Sequence, residues 1–175
     1  FLSDKAHCAS CPDGSFCPTQ SVAPTPCSPG SYTSSATQHD RCTRCAAGTY
    51  QRMENATACT DCDGLKGYYC EMGSATPQPC PAGTHADGAL SVMTREADCL
   101  TCGNGTFCPV GSENATLCAA GTFNADEKQE KCTKCAPGKF QEHEGATDCL
   151  ACKRGAYCAE GAAAALPCPR GVHRN

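Results

Sequence analysis

Cysteine is the residue in this chain whose type and spacing could do chemistry. Of its 20 cysteines, eight form Cys-x-x-Cys pairs, at 42/45 with 59/62 and at 132/135 with 149/152. Such pairs bind zinc in some proteins and exchange disulfides in others. Here the thirteen-residue spacers are short for a four-cysteine zinc site, and zinc would leave twelve cysteines unexplained. No βαβ pattern accompanies a redox motif, so we expect structural disulfides, with an intracellular zinc protein as the least favoured alternative.

The composition requires cross-links. Cysteine makes up 20 of 175 residues, above the roughly 8–10% at which a short chain is typical of a disulfide scaffold. Leu, Val, Phe and Ile together number only 16, too few to offset the conformational entropy lost on folding by burial alone. A disulfide that closes a loop of about 15 residues contributes on the order of 3 kcal/mol. Because disulfides at this density persist only in oxidising compartments, we expect an extracellular, cell-surface or secretory-lumen location.

A short module, Cys-x-x-Gly-x-aromatic, recurs along the chain and positions half of the cysteines. Eight of the ten Phe and Tyr residues occupy its ring slot, His85 and His173 occupy two more, and one copy (Cys62, Gly67, Tyr69) carries an insertion. We call the first cysteine the opener and define a module as the residues from one opener to the next. The openers of modules 1 to 10 are Cys11, Cys27, Cys45, Cys62, Cys80, Cys102, Cys118, Cys135, Cys152 and Cys168. The glycine predicts a turn with positive φ and a short strand or hairpin carrying the ring, which we interpret as a cover over the disulfide.

The remaining cysteines act as closers. They are Cys8, Cys17, Cys42, Cys59, Cys70, Cys99, Cys108, Cys132, Cys149 and Cys158. If neighbours pair, the bonds are Cys11–Cys17, Cys27–Cys42, Cys45–Cys59, Cys62–Cys70, Cys80–Cys99, Cys102–Cys108, Cys118–Cys132, Cys135–Cys149 and Cys152–Cys158, and Cys8 and Cys168 have no partner. An interlaced scheme (Cys8–Cys17, Cys11–Cys27, Cys42–Cys59, Cys45–Cys62, Cys70–Cys80, then repeated) leaves none unpaired. We favour neighbour pairing because it treats every module alike.

A longer period lies above the module. The cysteines from Cys8 to Cys27 recur 91 residues later, those from Cys42 to Cys62 recur 90 later, and Cys70 and Cys80 recur 88 later. This predicts two super-repeats, residues 1–98 and 99–175, the second truncated, in a fragment of a longer protein. The expected fold is a small disulfide-rich, elongated tandem array of short β-hairpin or irregular cysteine-rich modules with little regular secondary structure.

This pattern resembles the ephrin-receptor-like cysteine-rich repeat, which is akin to the single-disulfide modules of tumour-necrosis-factor receptors. The stretches Cys27–Cys62 and Cys118–Cys152 match best, and the short closed form Gly14-Ser-Phe-Cys-Pro is similar to repeats of large protist and algal surface proteins. The resemblance implies stalks, spacers and protein-binding ectodomains without catalytic residues.

Two further features suggest surface roles. Three Asn-x-Thr sequons predict N-glycosylation at Asn55, Asn104 and Asn114. Asn55 aligns with Gly145 between the super-repeats, so a left-handed turn is an alternative reason for it. The loop 86–98 carries Leu90, Val92 and Met93 where other loops are small and polar. These three side chains either pack down on the junction of the super-repeats or contact a partner.

Other chemistry finds no support in the residue pattern. The net charge of −4 is dispersed, and no apolar run could span a bilayer. We therefore predict neither nucleic-acid binding nor direct membrane insertion, and no cofactor, catalytic residue or metal ligand. The sequence predicts a non-enzymatic extracellular spacer or structural module that contacts other protein chains. A ligand-binding or adhesive receptor ectodomain is the alternative.

Overall fold

The fold is a series of very short hairpins. The computed structural model describes residues 9–37, 39–169 and 171, and in these ranges 18 strands form nine antiparallel two-stranded sheets. The only helical segment in these ranges is one 3₁₀ turn, Glu96–Asp98. The first eight strands are β1 (Ser15–Phe16), β2 (Thr25–Pro26), β3 (Ser31–Tyr32), β4 (Thr43–Arg44), β5 (Thr49–Tyr50), β6 (Thr60–Asp61), β7 (Tyr68–Tyr69) and β8 (Gln78–Pro79). The others are β9 (Thr84–Ala86), β10 (Cys99–Thr101), β11 (Thr106–Phe107), β12 (Thr116–Leu117), β13 (Thr122–Phe123), β14 (Thr133–Lys134), β15 (Lys139–Phe140), β16 (Leu150–Ala151), β17 (Ala156–Tyr157) and β18 (Leu166–Pro167).

Each hairpin joins one module to the start of the next. Its first strand contains the ring-slot residue, and its second strand ends next to the following opener, as β3 and β4 show with the register Tyr32↔Thr43. The N–H of that opener, Cys45, then donates to the carbonyl of Gly30 in the module before (2.9 Å). The predicted fold class of short hairpin modules with little regular secondary structure is therefore confirmed.

Nine disulfides connect the described residues, and each joins an opener to the next closer. These are the pairs of the neighbour scheme, with Cα–Cα distances from 5.7 to 6.4 Å, inside the usual range. The interlaced scheme is not the one found. Cys168 is half-buried and forms no disulfide within the described part of the chain, whereas Cys8 lies outside it.

The interior consists mainly of cystine sulfur rather than aromatic rings. The fully buried cysteines are Cys27, Cys45, Cys70, Cys80, Cys102, Cys108, Cys118 and Cys135. Among the described ring-slot residues only Tyr69 and Phe140 are buried, and Tyr157 is 48% exposed. Our interpretation of the ring as the core of each module was wrong for most modules. A two-residue strand is too short to enclose a ring, so one edge of the ring stays in water.

The chain divides into two compact units. Compact unit 1 contains the described residues up to Gln78 together with Ser91–Arg95, and compact unit 2 contains Pro79–Leu90 and the described residues from Glu96 onward. This division follows proximity in space, whereas the super-repeats 1–98 and 99–175 follow the spacing of cysteines. The super-repeat boundary stays a prediction.

Candidate functional site

Backbone hydrogen bonds connect each module to the next within a compact unit. The N–H of the opener glycine donates to the carbonyl of the residue after the ring in the following module, as from Gly30 to Gln51 (2.8 Å) and from Gly105 to Asn124 (2.9 Å). The same bond joins Gly14 to Thr33, Gly48 to Cys70, Gly83 to Cys108, Gly121 to Gln141 and Gly138 to Cys158. We call this residue after the ring the post-ring residue. The bond recurs because it uses main-chain atoms that every module has.

A loop of the following module completes the connection. The post-ring N–H donates into that loop, as from Asn124 to Ala146 (3.1 Å). The residue just before the acceptor, Gly145, has φ +69° and donates its own N–H to the carbonyl of the opener Cys118 (2.8 Å). Equivalent left-handed loop residues in other modules are Asn55, Gly73, Gly111, Lys128 and Gly161. We call these recurring bonds, together with the glycine bond, the inter-module ladder.

The same loop also reaches the module two positions back. A Cβ built on Gly105 would overlap the carbonyl of Gly145, and the same holds for Gly30 with Gly73 and for Gly121 with Gly161. Gly14 meets Asn55 and Gly83 meets Lys128 in the same way. Glycine is therefore required twice at these positions, for its positive φ and for the space that the carbonyl occupies. The sequence predicted the φ but gave no signal of the contact.

Buried polar side chains reinforce the ladder at the post-ring position. Thr33 is fully buried and its Oγ1 donates to the carbonyl of Ser15 in the preceding module (2.9 Å). Asn124, at the corresponding place in compact unit 2, is 2% exposed and its Nδ2 donates to the carbonyl of Thr106 (2.8 Å). Within the described residues every buried side-chain nitrogen and oxygen has a hydrogen-bond partner. These groups are thus satisfied by structure and are not reserved for a ligand.

Comparison with known proteins identifies this arrangement. Residues 105–152 and 121–164 match the family described as "Tyrosine-protein kinase ephrin type A/B receptor-like". These modules are ephrin-receptor-like cysteine-rich repeats. The match begins at opener glycines of modules 6 and 7 and covers the part of the chain in which the inter-module ladder is continuous.

Two curated relatives extend the similarity beyond these repeats. "Signal peptide, CUB and EGF-like domain-containing protein 2" of Mus musculus is 30% identical over 129 residues, which cover 71% of this chain and 12% of that protein. The protein of the same description from Homo sapiens is 31% identical over 129 residues, 70% of this chain and 12% of its own length. The chain therefore spans about an eighth of the length of the curated relatives it matches.

The disulfides of the ephrin-receptor-like repeats overturn the zinc alternative. All eight cysteines of the paired Cys-x-x-Cys motifs are bonded to another sulfur, for example Cys45 to Cys59 and Cys62 to Cys70. A disulfide sulfur is not a thiolate and cannot bind zinc in that way. In the described ranges no cluster of His, Cys, Asp and Glu is arranged to hold a metal ion. No helix found there is long and apolar enough to cross a membrane.

The loop 86–98 does not present its three apolar residues together. Met93 is 5% exposed, and its carbonyl accepts the N–H of Cys70 (3.1 Å), so it belongs to the inter-module ladder. Val92 is half-buried, with its Cγ1 3.0 Å from the position of a Cβ on Gly48. Leu90 is 43% exposed. Packing thus accounts for Val92 and Met93, and the prediction of a partner contact is left with Leu90.

All three sequon asparagines lie on the surface. Asn55 has φ +57° at the place where Gly145 has +69°, so the left-handed turn that we offered as an alternative is present. The turn does not exclude a glycan. Glycosylation at Asn55, Asn104 and Asn114 stays a prediction at this point.

Sequence reasoning missed a set of exposed leucines in compact unit 2. Three of them lie directly across a hairpin from the ring-slot residue: Leu100 from His85, Leu150 from Phe140 and Leu166 from Tyr157. Their side chains are 43%, 49% and 50% exposed. In compact unit 1 the same position is threonine, at Thr25, Thr43 and Thr60. The register of the hairpin, which could be read from the last residues before each opener, was the signal that could have found them.

Proposed function

We propose that this chain is a non-enzymatic structural or spacer module of a large cell-surface or extracellular assembly, acting through contacts with other protein chains. The inter-module ladder is the observation that supports this proposal. It holds successive modules through main-chain atoms and disulfides, so the relation between neighbours does not depend on most side chains. A spacer needs this property, because its job is to keep a separation constant while its surface varies.

The chemistry of the described residues fits the same proposal. The disulfides require an oxidising compartment, and the relatives carry "Signal peptide" in their names. A groove of about 320 Å³ in compact unit 1, lined by Ser28–Ser31, Arg44 and Met72 among others, is shallow and open to water. It contains no nucleophile paired with a base, which a catalytic site of the usual kinds needs. Contact with other chains is the remaining use of such a surface.

Single-molecule energy transfer within compact unit 2 tests the spacer role. Dyes on non-natural amino acids at Val110 and Lys153, which are both exposed, avoid the cysteines. The oxidised protein should give one narrow distance distribution, because the inter-module ladder and the disulfides fix the modules between the two sites. The fully reduced protein is the control and should give a broad distribution. A broad distribution in the oxidised protein would rule out a spacer that works through this unit.

The exposed leucines favour a second candidate, an adhesive or ligand-binding ectodomain. Monomeric proteins rarely repeat exposed apolar side chains at one structural position without a partner. In this reading Leu100, Leu150 and Leu166 form contacts with another chain.

The triple variant Leu100→Thr, Leu150→Thr, Leu166→Thr tests the second candidate. Threonine occupies the same register in other modules, so the fold should tolerate it. We expect sedimentation at micromolar concentration, alone and with extracts of the source cell surface, to show complexes of the parent that the variant does not form. The matched control is Thr25→Ser, Thr43→Ser, Thr60→Ser in compact unit 1, which should behave like the parent. Equal association of both variants would count against the leucines as a contact surface.

A further inference from the structure

The three sequons share one motif, and only the structure separates them. Each is Asn-x-Thr with a small residue in the middle: Asn55-Ala-Thr, Asn104-Gly-Thr and Asn114-Ala-Thr. An N-linked glycan is attached to the side-chain amide nitrogen. The use of that nitrogen in the folded chain therefore decides whether the fold can carry the sugar.

In Asn104 the amide nitrogen is already occupied. Its Nδ2 donates to the carbonyl of Ala125 in the next module. The adjacent Gly105 is buried under the carbonyl of Gly145, and the hydroxyl of Thr106 donates to the carbonyl of Gly103 (2.6 Å). A sugar on this nitrogen would take the space of the Ala125 carbonyl and displace the loop of module 7. The folded chain cannot carry a glycan there.

In Asn114 the amide is open. Residues 113–117 are all exposed, and within the described residues the side chain of Asn114 has no hydrogen-bond partner. The residue lies in a bend after the left-handed Gly111 and two residues before β12. A glycan on its Nδ2 would project into water and leave the inter-module ladder unchanged.

Asn55 is open on one side only, and that side is the relevant one. Its Oδ1 accepts a hydrogen bond from the hydroxyl of Ser15 (2.9 Å), and its N–H donates to the carbonyl of Cys27 (2.9 Å). Glycosylation keeps the amide oxygen as an acceptor and replaces one hydrogen on the nitrogen. The contact with Ser15 therefore survives the modification.

We propose that the folded chain carries N-linked glycans on Asn55 and Asn114 and none on Asn104. The donor is an oligosaccharide on a lipid diphosphate, supplied with its transferase in the secretory lumen. A C–N bond forms between the amide nitrogen and the anomeric carbon, and the bond from that carbon to the diphosphate oxygen breaks. The lipid diphosphate leaves with the electron pair, and the amide proton passes to a base of the transferase. The inference rests on the proposed passage through the secretory pathway.

Glycopeptide mapping of the protein secreted from a eukaryotic host tests this assignment. The fully oxidised fraction is selected by its thiol content, treated with N-glycosidase in heavy-oxygen water and digested, so that each formerly modified asparagine becomes a labelled aspartate. We expect the label at Asn55 and Asn114 and not at Asn104. Label at Asn104 in this fraction, or its absence at either other site, would overturn the proposal. A protein retained in the cell without disulfides would instead refute the proposed location.

Three matched variants repeat the test without altering an asparagine. Thr57→Ala, Thr106→Ala and Thr116→Ala each remove one sequon while the amide stays in place. The first and third should each lose the mass of one glycan from the secreted protein. Thr106→Ala should lose none, and a loss there would contradict the closed amide of Asn104.

Discussion

The opener glycine meets two separate physical requirements in most modules and only one in others. Gly121 has φ +86° and lies under the carbonyl of Gly161. Gly138 has nearly the same φ, +83°, but no other described atom lies within 4 Å of where its Cβ would be. The two glycines therefore separate the cost of the backbone conformation from the cost of the contact between modules.

At the residue scale we predict unequal effects of Gly121→Ala and Gly138→Ala. Gly138→Ala should lower the free energy of unfolding by about 1–2 kcal/mol, the cost of a left-handed conformation for a residue with a Cβ. Gly121→Ala should cost about 1–3 kcal/mol more, because the methyl group must displace the Gly161 loop. Urea unfolding of the oxidised proteins measures both values.

Hydrogen exchange at Gly161 provides the control for this comparison. Its N–H donates to the carbonyl of Cys135 (2.8 Å) and should exchange faster in Gly121→Ala than in Gly138→Ala. Equal losses of stability with unchanged exchange would show that the carbonyl contact contributes nothing beyond the φ requirement.

At the scale of the element, the loop that reaches back two modules tolerates different residues at its left-handed position. Most modules use glycine there, but Asn55 has φ +57° and Lys128 has φ +61°. Asparagine adopts this conformation more easily than other residues with a side chain, whereas lysine has no such preference. Lys128 is therefore a place where the loop is held in an unfavourable conformation by its contacts, namely its N–H to the carbonyl of Cys102 (2.8 Å) and its carbonyl against Gly83.

We predict that Lys128→Gly stabilises the protein. Relief of the left-handed conformation is worth about 1–2 kcal/mol, and the greater freedom of glycine in the unfolded chain takes back about 0.5–1 kcal/mol. The net gain should be about 0.5–1 kcal/mol, seen as a higher urea midpoint of the oxidised protein. Gln129→Gly, one residue later and outside the left-handed region, is the matched control and should be destabilising by about 0.5–1 kcal/mol. A loss of stability in Lys128→Gly would mean that the lysine side chain itself supports the loop.

The elements divide clearly into those that the sequence predicts and those that it does not. The hairpins and the positive φ of the glycines follow from Cys-x-x-Gly-x-aromatic, because a turn and its flanking strand are local. The contact of Gly145 with Gly105 joins residues that lie 40 positions apart, and nothing local records it. The same reason explains Met93, which looked like a surface residue of an apolar loop until its carbonyl was found on the N–H of Cys70.

At the scale of the whole molecule, the inter-module ladder makes stability a sum of short-range terms. Each module bonds to the next and touches the one after it within its compact unit, and the described elements offer no single shared core. In such a chain a lesion should spread to neighbouring modules and then stop. A protein with one hydrophobic core would instead lose protection everywhere.

Removal of one disulfide should therefore act locally. We predict that Cys118→Ser with Cys132→Ser, which opens module 7, costs about 3 kcal/mol in that region by the chain-entropy estimate for a loop of about 15 residues. Amide exchange should accelerate at Gly105, Lys128 and Gly145, whose N–H groups bond to or from module 7. Exchange at Gly30 and Gly73 in compact unit 1 should not change, since no ladder bond connects them to module 7.

The corresponding pair in the first super-repeat gives the mirror experiment. Cys27→Ser with Cys42→Ser opens module 2, which should expose the amides of Gly14, Thr33 and Asn55 because each donates to or from that module. The amides of compact unit 2 should keep their protection. If either double variant loosens both compact units alike, the modules are not coupled only to their neighbours. The inter-module ladder would then not be the main source of stability, because a cooperative core would have to connect the two halves of the chain.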